Sequence, residues 1–458
     1  MSVQSIVIPV QTKGRLILAL AATICFSACR KSDFLVEETE SIRDNGSGTG
    51  TVTWTKDKNY LLEGLVFVND GQTLTIEAGT VIRARTGQGT AASALIVARG
   101  GRILARGTAT EPIIFTCEGD DLAGSVPIES KGLWGGLILL GSAPLNNEYH
   151  ENHIEGIPFT EPRGTYGGLN SGDDSGVLQY LSIRHGGTKL TEDNEINGLT
   201  LGGVGNGTVL ENIEVISNAD DGFEFFGGTV NARYLLAAYC EDDGFDYDEG
   251  YSGMGQYWVC LQNAQTGDHL VESNGGILPE NGRPLSDPLL FNLTLVGGGQ
   301  GSGRTGISFT RNAAGTIGNS ILLHEATGVE IEYKPGVEDS YQQFMDGTLR
   351  LQGNVFYDVA GNEASGIFGI LCADTTQDLT EQTLALRDNF TAAGNKVEDP
   401  GMTYTGGSFK LIADDYVFGG LSPYPDEWFE KAYFQGAFGT YNWASGWTLL
   451  SRAGILPD

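Results

Sequence analysis

Asp220-Asp221-Gly222-Phe223-Glu224-Phe225 recurs 22 residues later as Asp242-Asp243-Gly244-Phe245-Asp246-Tyr247. Each copy opens with two acids and a glycine, then alternates apolar and acidic or aromatic side chains, the period of a strand with two distinct faces. In the same register residues 213–216 (IEVI) fall on 235–238 (LLAA), so apolar wall lies over wall and acidic corner over acidic corner. A displacement of this length suits one coil of a β-solenoid, in which no coil can bury its apolar face alone.

Reading outward, short apolar runs at 61–68, 74–84, 94–98, 112–116 and 137–140 are each about one strand long and alternate with turn residues. The phrases GQTLTIEAGTVIRA (71–84) and GGRILARGTATEPIIFT (100–116) repeat strand, glycine turn, strand and polar corner. With 67 glycines against 14 prolines, the composition calls for many tight turns between strands. The reading is all-β: a right-handed parallel β-helix over 51–425. A β-propeller is the runner-up, but its blades need about 40 residues and hairpin turns, which are not prominent. Residues 379–395 have the spacing of a short helix with Thr380 as N-cap. The aromatic residues crowding 426–458, from Trp428 to Trp447, are expected to cap the last rung; a sugar-binding platform is the alternative.

Several longer stretches carry a family resemblance: IEGIP (154–158), YGG (166–168), DDSGVLQYLSIRHGG (173–187), NGLTLGGVGNGTVLENIEVISNADDGFEFFGGTVN (197–231) and FQGAFGTYNWASGWT (434–448). Together they resemble a group of outer-envelope lipoproteins of the Bacteroidetes type. The resemblance implies a right-handed parallel β-helix and an envelope location, and brings no activity with it. His185 departs from the aromatic or apolar residue expected at that point.

The N-terminus agrees with that address. Lys13 and Arg15 precede the apolar run 16–26, which is shorter than a membrane-spanning helix, and Phe26-Ser27-Ala28-Cys29 resembles a lipobox. Residues 1–28 are read as a lipoprotein signal peptide, Cys29 as the lipidated residue, and 29–50 as a flexible tether. The expected location is the outer membrane, lipid-anchored on its periplasmic or cell-surface face. Cys117, Cys240, Cys260 and Cys372 are left as free thiols or disulfides, with pairing open.

A formal charge of −31 on ordinary apolar content marks an acidic folded surface and argues against nucleic acid as a partner. Between residues 211 and 250 lie eleven Asp or Glu and Arg233 as the single base. Stacked at about 4.8 Å, such carboxylates must splay into water or be neutralised by a hard cation. Asp220, Asp221, Glu224, Asp242, Asp243, Asp246 and Asp248 are the candidate ligands and calcium the expected ion; Asp268 and Glu272 are candidates for a third rung. The alternative is that these acids bond backbone amides in turns. The run 246–250 (DYDEG) opens like a calcium loop but lacks the later bidentate Glu of an EF-hand.

His150 and His153 form an H-x-x-H cluster that reads as a solvated loop, and His269 and His324 stand isolated. GGVGNG and GGGQGSGRTG lack the lysine and the helix of a phosphate loop. The function expected is therefore non-catalytic: an envelope lipoprotein whose β-helix surface binds a glycan or a protein partner, reinforced by calcium. A polysaccharide lyase or hydrolase is the alternative, and it requires a base such as Arg184 or His185 on the acidic face.

Overall fold

In a computed structural model, residues 39–191, 194–405, 407–412 and 420–457 are described. The signal peptide, Cys29 and the first part of the tether lie outside the described residues. No described helix is long and apolar enough to cross a membrane.

The coils stack as parallel sheets, and the chain is a parallel β-helix. Two columns form one 19-stranded sheet and a third column forms a 10-stranded sheet. Strands Gly176–Arg184, Val209–Ile216 and Asn231–Ala238 each run through both of the first two columns, and the third column follows after a turn. The repeat read from the sequence is one coil: Leu210 pairs with Ala232, Ile213 with Leu235, and Phe223 with Phe245.

Alternation explains the interior. Leu210, Ile213, Val215, Phe223 and Phe225 point into one continuous core, where Phe223 and Phe245 stack with ring centroids 5.2 Å apart. The glycines of the repeat make room for this stacking. A Cβ at Gly244 would lie 2.2 Å from Cys260 Sγ, and one at Gly222 would lie 2.6 Å from the Gly244 carbonyl oxygen. Cys117, Cys240, Cys260 and Cys372 are free thiols.

Three expectations need correction. The solenoid starts before residue 51, because Thr39–Ile42 already pairs in parallel with Asn59–Leu62. Its charged, exposed sequence is that of an edge strand and not of a tether. Second, the aromatic C-terminal segment does not close the last rung. Phe438, Trp443 and Trp447 pack sideways on Ile216, Leu236, Val259, Leu323 and Val355, the outward side chains of the second column. The end is covered instead by the helix Thr380–Ala392, whose Leu386 and Phe390 pack with Phe356 and Phe368. Third, the N-cap of that helix is Leu379, and Thr380 instead donates its N–H and hydroxyl to Asp378.

Candidate metal centre

The outward side chains of the third column make a ladder. Pairing runs from Thr200 to Glu224, from Glu224 to Asp246 and from Asp246 to Glu272, so three carboxylates stand on successive rungs. Asp220, Asp221, Asp242 and Asp243 occupy the turns that lead into these strands, and Asp248 lies at the far end of its strand. The seven predicted ligands thus share one side of the helix. Asp221, Glu224 and Asp246 bring ligand oxygens within 4.8 Å of one another, as do Asp220, Asp221 and Asp242. On the third rung Asp268 groups with Asp242 and Asp243, and Glu272 with Asp243 and His269.

Asp220, Asp221, Glu224, Asp243, Asp246 and Asp248 are buried beneath two excursions of the chain, whereas Asp242 and Glu272 are half-buried and Asp268 is exposed. Residues 141–175 and the described residues of 185–198 bring Ile154, Ile157, Tyr166 and Ile196 onto the outer face of the third column. The same excursions supply polar partners: Asn197 Nδ2 donates to Glu224 Oε2 and, at 3.3 Å, to Glu155 Oε1. Glu249 accepts from the Tyr166 hydroxyl and from Asn152 Nδ2, each at 2.6 Å.

Burial dominates the electrostatics. It holds Asp221, Glu224, Asp243, Asp246 and Asp248 well above the ordinary carboxylate range, and the neighbouring carboxylates push in the same direction. Burial likewise lifts Asp220 to about 8, against the pull of Lys189, and Glu155 to about 7. Such groups are neutral in a dry site unless a cation compensates them.

Hydrogen bonding divides the cluster. Asp221 Oδ1 accepts the Asp243 N–H at 2.8 Å, and Asp243 Oδ1 accepts the His269 N–H at 2.5 Å. For one oxygen of each of these two, the turn-amide reading holds. Asp246 Oδ1 and Asp248 Oδ1 are buried and accept no hydrogen bond from any described residue, and Thr200 Oγ1 in the same column is also without a partner. Buried orphan oxygens facing other oxygens are the donor set of a hard cation.

Sequence reasoning missed Glu155, Asn197, Glu249 and Lys189, whose Nζ lies 3.4 Å from Asp220 Oδ1. Glu155, Asn197 and Lys189 arrive on the excursions, where no repeat signals their position, whereas Glu249 directly follows the strand Phe245–Asp248. His269 and His324, isolated in the sequence, both meet carboxylates: His269 Nδ1 lies 3.3 Å from Asp243 Oδ1, and His324 Nδ1 lies 2.5 Å from Asp358 Oδ2. Among the described residues, the H-x-x-H histidines join no cluster of potential metal ligands. His150 Nδ1 meets the Leu145 carbonyl at 2.8 Å, and both His153 ring nitrogens meet backbone carbonyls at 3.0 Å. Arg184 and His185 fall outside the acidic face: Arg184 Nε donates to Ser182 Oγ at 2.8 Å on the outer side of the second column, and His185 Nδ1 meets the Ser130 carbonyl at 2.6 Å.

Fold and site define a parallel β-helix with an acid-lined outer face. Residues 46–448 match the family model of the pectate-lyase-like β-helix domain, and the chain belongs to that family. No curated protein matches the sequence significantly. Among solved structures, the chain is similar to the catalytic domain of a GH87 α-1,3-glucanase in complex with tetrasaccharides, at 8% identity and a TM-score of 0.31, over 73% of this chain and 66% of that one. It is also similar to the enzymatically active domain of bacteriophage CBA120 tailspike protein 2, at 10% identity and a TM-score of 0.23, over 69% and 37% of the two chains. The Dettilon tailspike protein is similar at 8% identity and a TM-score of 0.25, over 70% and 62%. The chain thus spans less than two thirds of the length of each of these proteins.

Proposed function

We propose that this chain is a non-catalytic cell-envelope lipoprotein of the Bacteroidetes outer-membrane type, anchored through Cys29. Its β-helix holds calcium in the carboxylate ladder and offers its surface to a glycan or protein partner. The observation that carries the calcium reading is the buried trio Asp221, Glu224 and Asp246 with an orphan oxygen on Asp246. An all-oxygen, carboxylate-rich set favours calcium over softer metals. Asp220, Asp242, Asp243 and Asp248 complete the acidic surroundings of the ion. The anchor reading rests on the lipobox-like sequence alone, and Cys29→Ser tests it by releasing the protein from the membrane fraction.

Melting the full chain in saturating calcium and in chelator tests the ion. A ligand that binds only the folded state at 100 times its Kd stabilises by about 2.7 kcal/mol, so a rise of several degrees is expected. Coincident transitions would overturn the reading. A polysaccharide lyase is the second reading, favoured by the half-exposed Lys189 beside Asp220. Its test is the release of unsaturated uronates from acidic polysaccharides, lost in Lys189→Met; no product is expected on the reading preferred here.

A further inference from the structure

The C-terminal segment and the middle coils enclose a cleft of about 470 Å³, walled by Tyr234, Tyr257, Tyr433, Phe434, Tyr441 and Trp443, with Glu430 and Lys431 as its charged groups. We propose that this cleft binds a neutral oligosaccharide by stacking sugar rings on its exposed tyrosines, Tyr433 and Tyr441. The inference rests on the reading of the chain as a glycan binder and assigns the place and the class of glycan.

Its floor is built on an unfavourable backbone. Between the first and second columns each middle coil turns through one residue of positive φ: Asn212 at 55°, Tyr234 at 58°, Tyr257 at 61°, Asn292 at 58° and Asn319 at 53°. Asparagine tolerates that conformation, whereas an aromatic residue there is uncommon and strained. Asn292 and Asn319 use the bend to hold the C-terminal segment, donating to the Phe434 and Ser422 carbonyls at 2.8 and 2.9 Å. Tyr180, at φ 52°, packs edge-on against Trp447. On two adjacent rungs the bend places Tyr234 and the buried Tyr257 at the floor of the cleft, their rings stacked 4.9 Å apart at 20° and packed against Trp443 and Phe434 of the C-terminal segment. Strained residues gather where a site needs them.

The rim points the same way. Tyr433 is 80% exposed and Tyr441 64% exposed, an unusual placement for large rings. Polar groups sit at the aromatic wall: the Tyr234 hydroxyl donates to Glu430 Oε2 at 3.0 Å, and Gln256 fixes the Glu430 backbone through two bonds of 2.9 Å. Flat apolar rings edged by hydroxyl and carboxylate groups suit a ligand with apolar ring faces and hydroxyls around its edge. The volume lies in the range of small-ligand sites. Glu430 and the chain's charge of −31 disfavour a polyanionic glycan, which leaves a neutral one.

Calorimetric titration of the full chain with maltohexaose, cellohexaose, xylohexaose and mannohexaose tests this. Binding of at least one is expected, with affinity weakened about ten-fold in Tyr433→Ala or Tyr441→Ala at an unchanged melting temperature. Tyr257→Asn, which relieves the backbone but removes a buried ring stacked on Tyr234 and Phe434, is expected to melt lower and to bind more weakly still. If no oligosaccharide binds the unaltered chain, both the inference and the glycan reading fall. If one binds and all three variants bind it equally, the glycan reading stands and the assignment to this cleft is overturned.

Discussion

Two stretches of one column share a backbone and differ in chemistry. On the outer face of the third sheet, Phe67 pairs with Ile96 and Ile96 with Ile138 in the early coils, while Glu224, Asp246 and Glu272 occupy the same line further on, across Thr200. Phe67, Ile96, Ile138, Glu224 and Asp246 are all buried. The cover changes with the column: Ile154, Ile157 and Ile196 meet the apolar rungs, and Glu155 and Asn197 meet the acidic ones. An outer face that is roofed over must become either a second dry core or a site whose charge is compensated from outside the chain.

That contrast can be broken at its apolar end with the largest effect. Ile138→Ala should cost about 2–5 kcal/mol in chemical denaturation, equally in calcium and in chelator; a loss seen only in calcium would tie the two ends together. At the acidic end, Glu224→Gln with Asp246→Asn should abolish the calcium-dependent rise in melting temperature. In chelator the same variant should equal the parent or exceed it by about 1–2 kcal/mol, because amides replace acids that burial already disfavours as anions.

The pH dependence sharpens the comparison further. Asp220, near 8, and Glu155, near 7, hold protons in the folded chain that the unfolded chain has released above about pH 4. The folded state therefore binds more protons across that interval, and its stability falls as pH rises from 5 to 8, by at most about 1.4 kcal/mol per pH unit for each group. Calcium should flatten this slope. A stability in chelator that climbs with pH would contradict the assignment. The smallest effect is expected from Lys189→Met, which removes a half-exposed partner of Asp220 worth less than about 1 kcal/mol and should tighten calcium binding about two-fold in a calorimetric titration.

The repeat was legible because nothing interrupts the coils that carry it: Val209 to Asn231 and Phe223 to Phe245 are successive rungs with no excursion between them. The register of the seven acids followed from that alone. Glu155 and Asn197 were not legible as partners of the ladder, since no period links the excursions to the strands they cover. The lateral docking of the C-terminal segment was hidden for another reason. Strands such as Val259–Leu261 are buried on both faces and read as unbroken apolar runs, so their outward side chains give no sign of needing a cover. Charged, exposed Thr39–Ile42 looked like a tether because the first strand of a solenoid has a partner on one side only.

The most direct test is a crystal structure of the chain grown with calcium, read for difference and anomalous density at the ladder. The account predicts a peak among Asp221, Glu224 and Asp246 with carboxylate oxygens at about 2.3–2.6 Å, one of them Asp246 Oδ1. Density for hydrogen-bonded acids alone, with those oxygens sharing protons at saturating calcium, would contradict it.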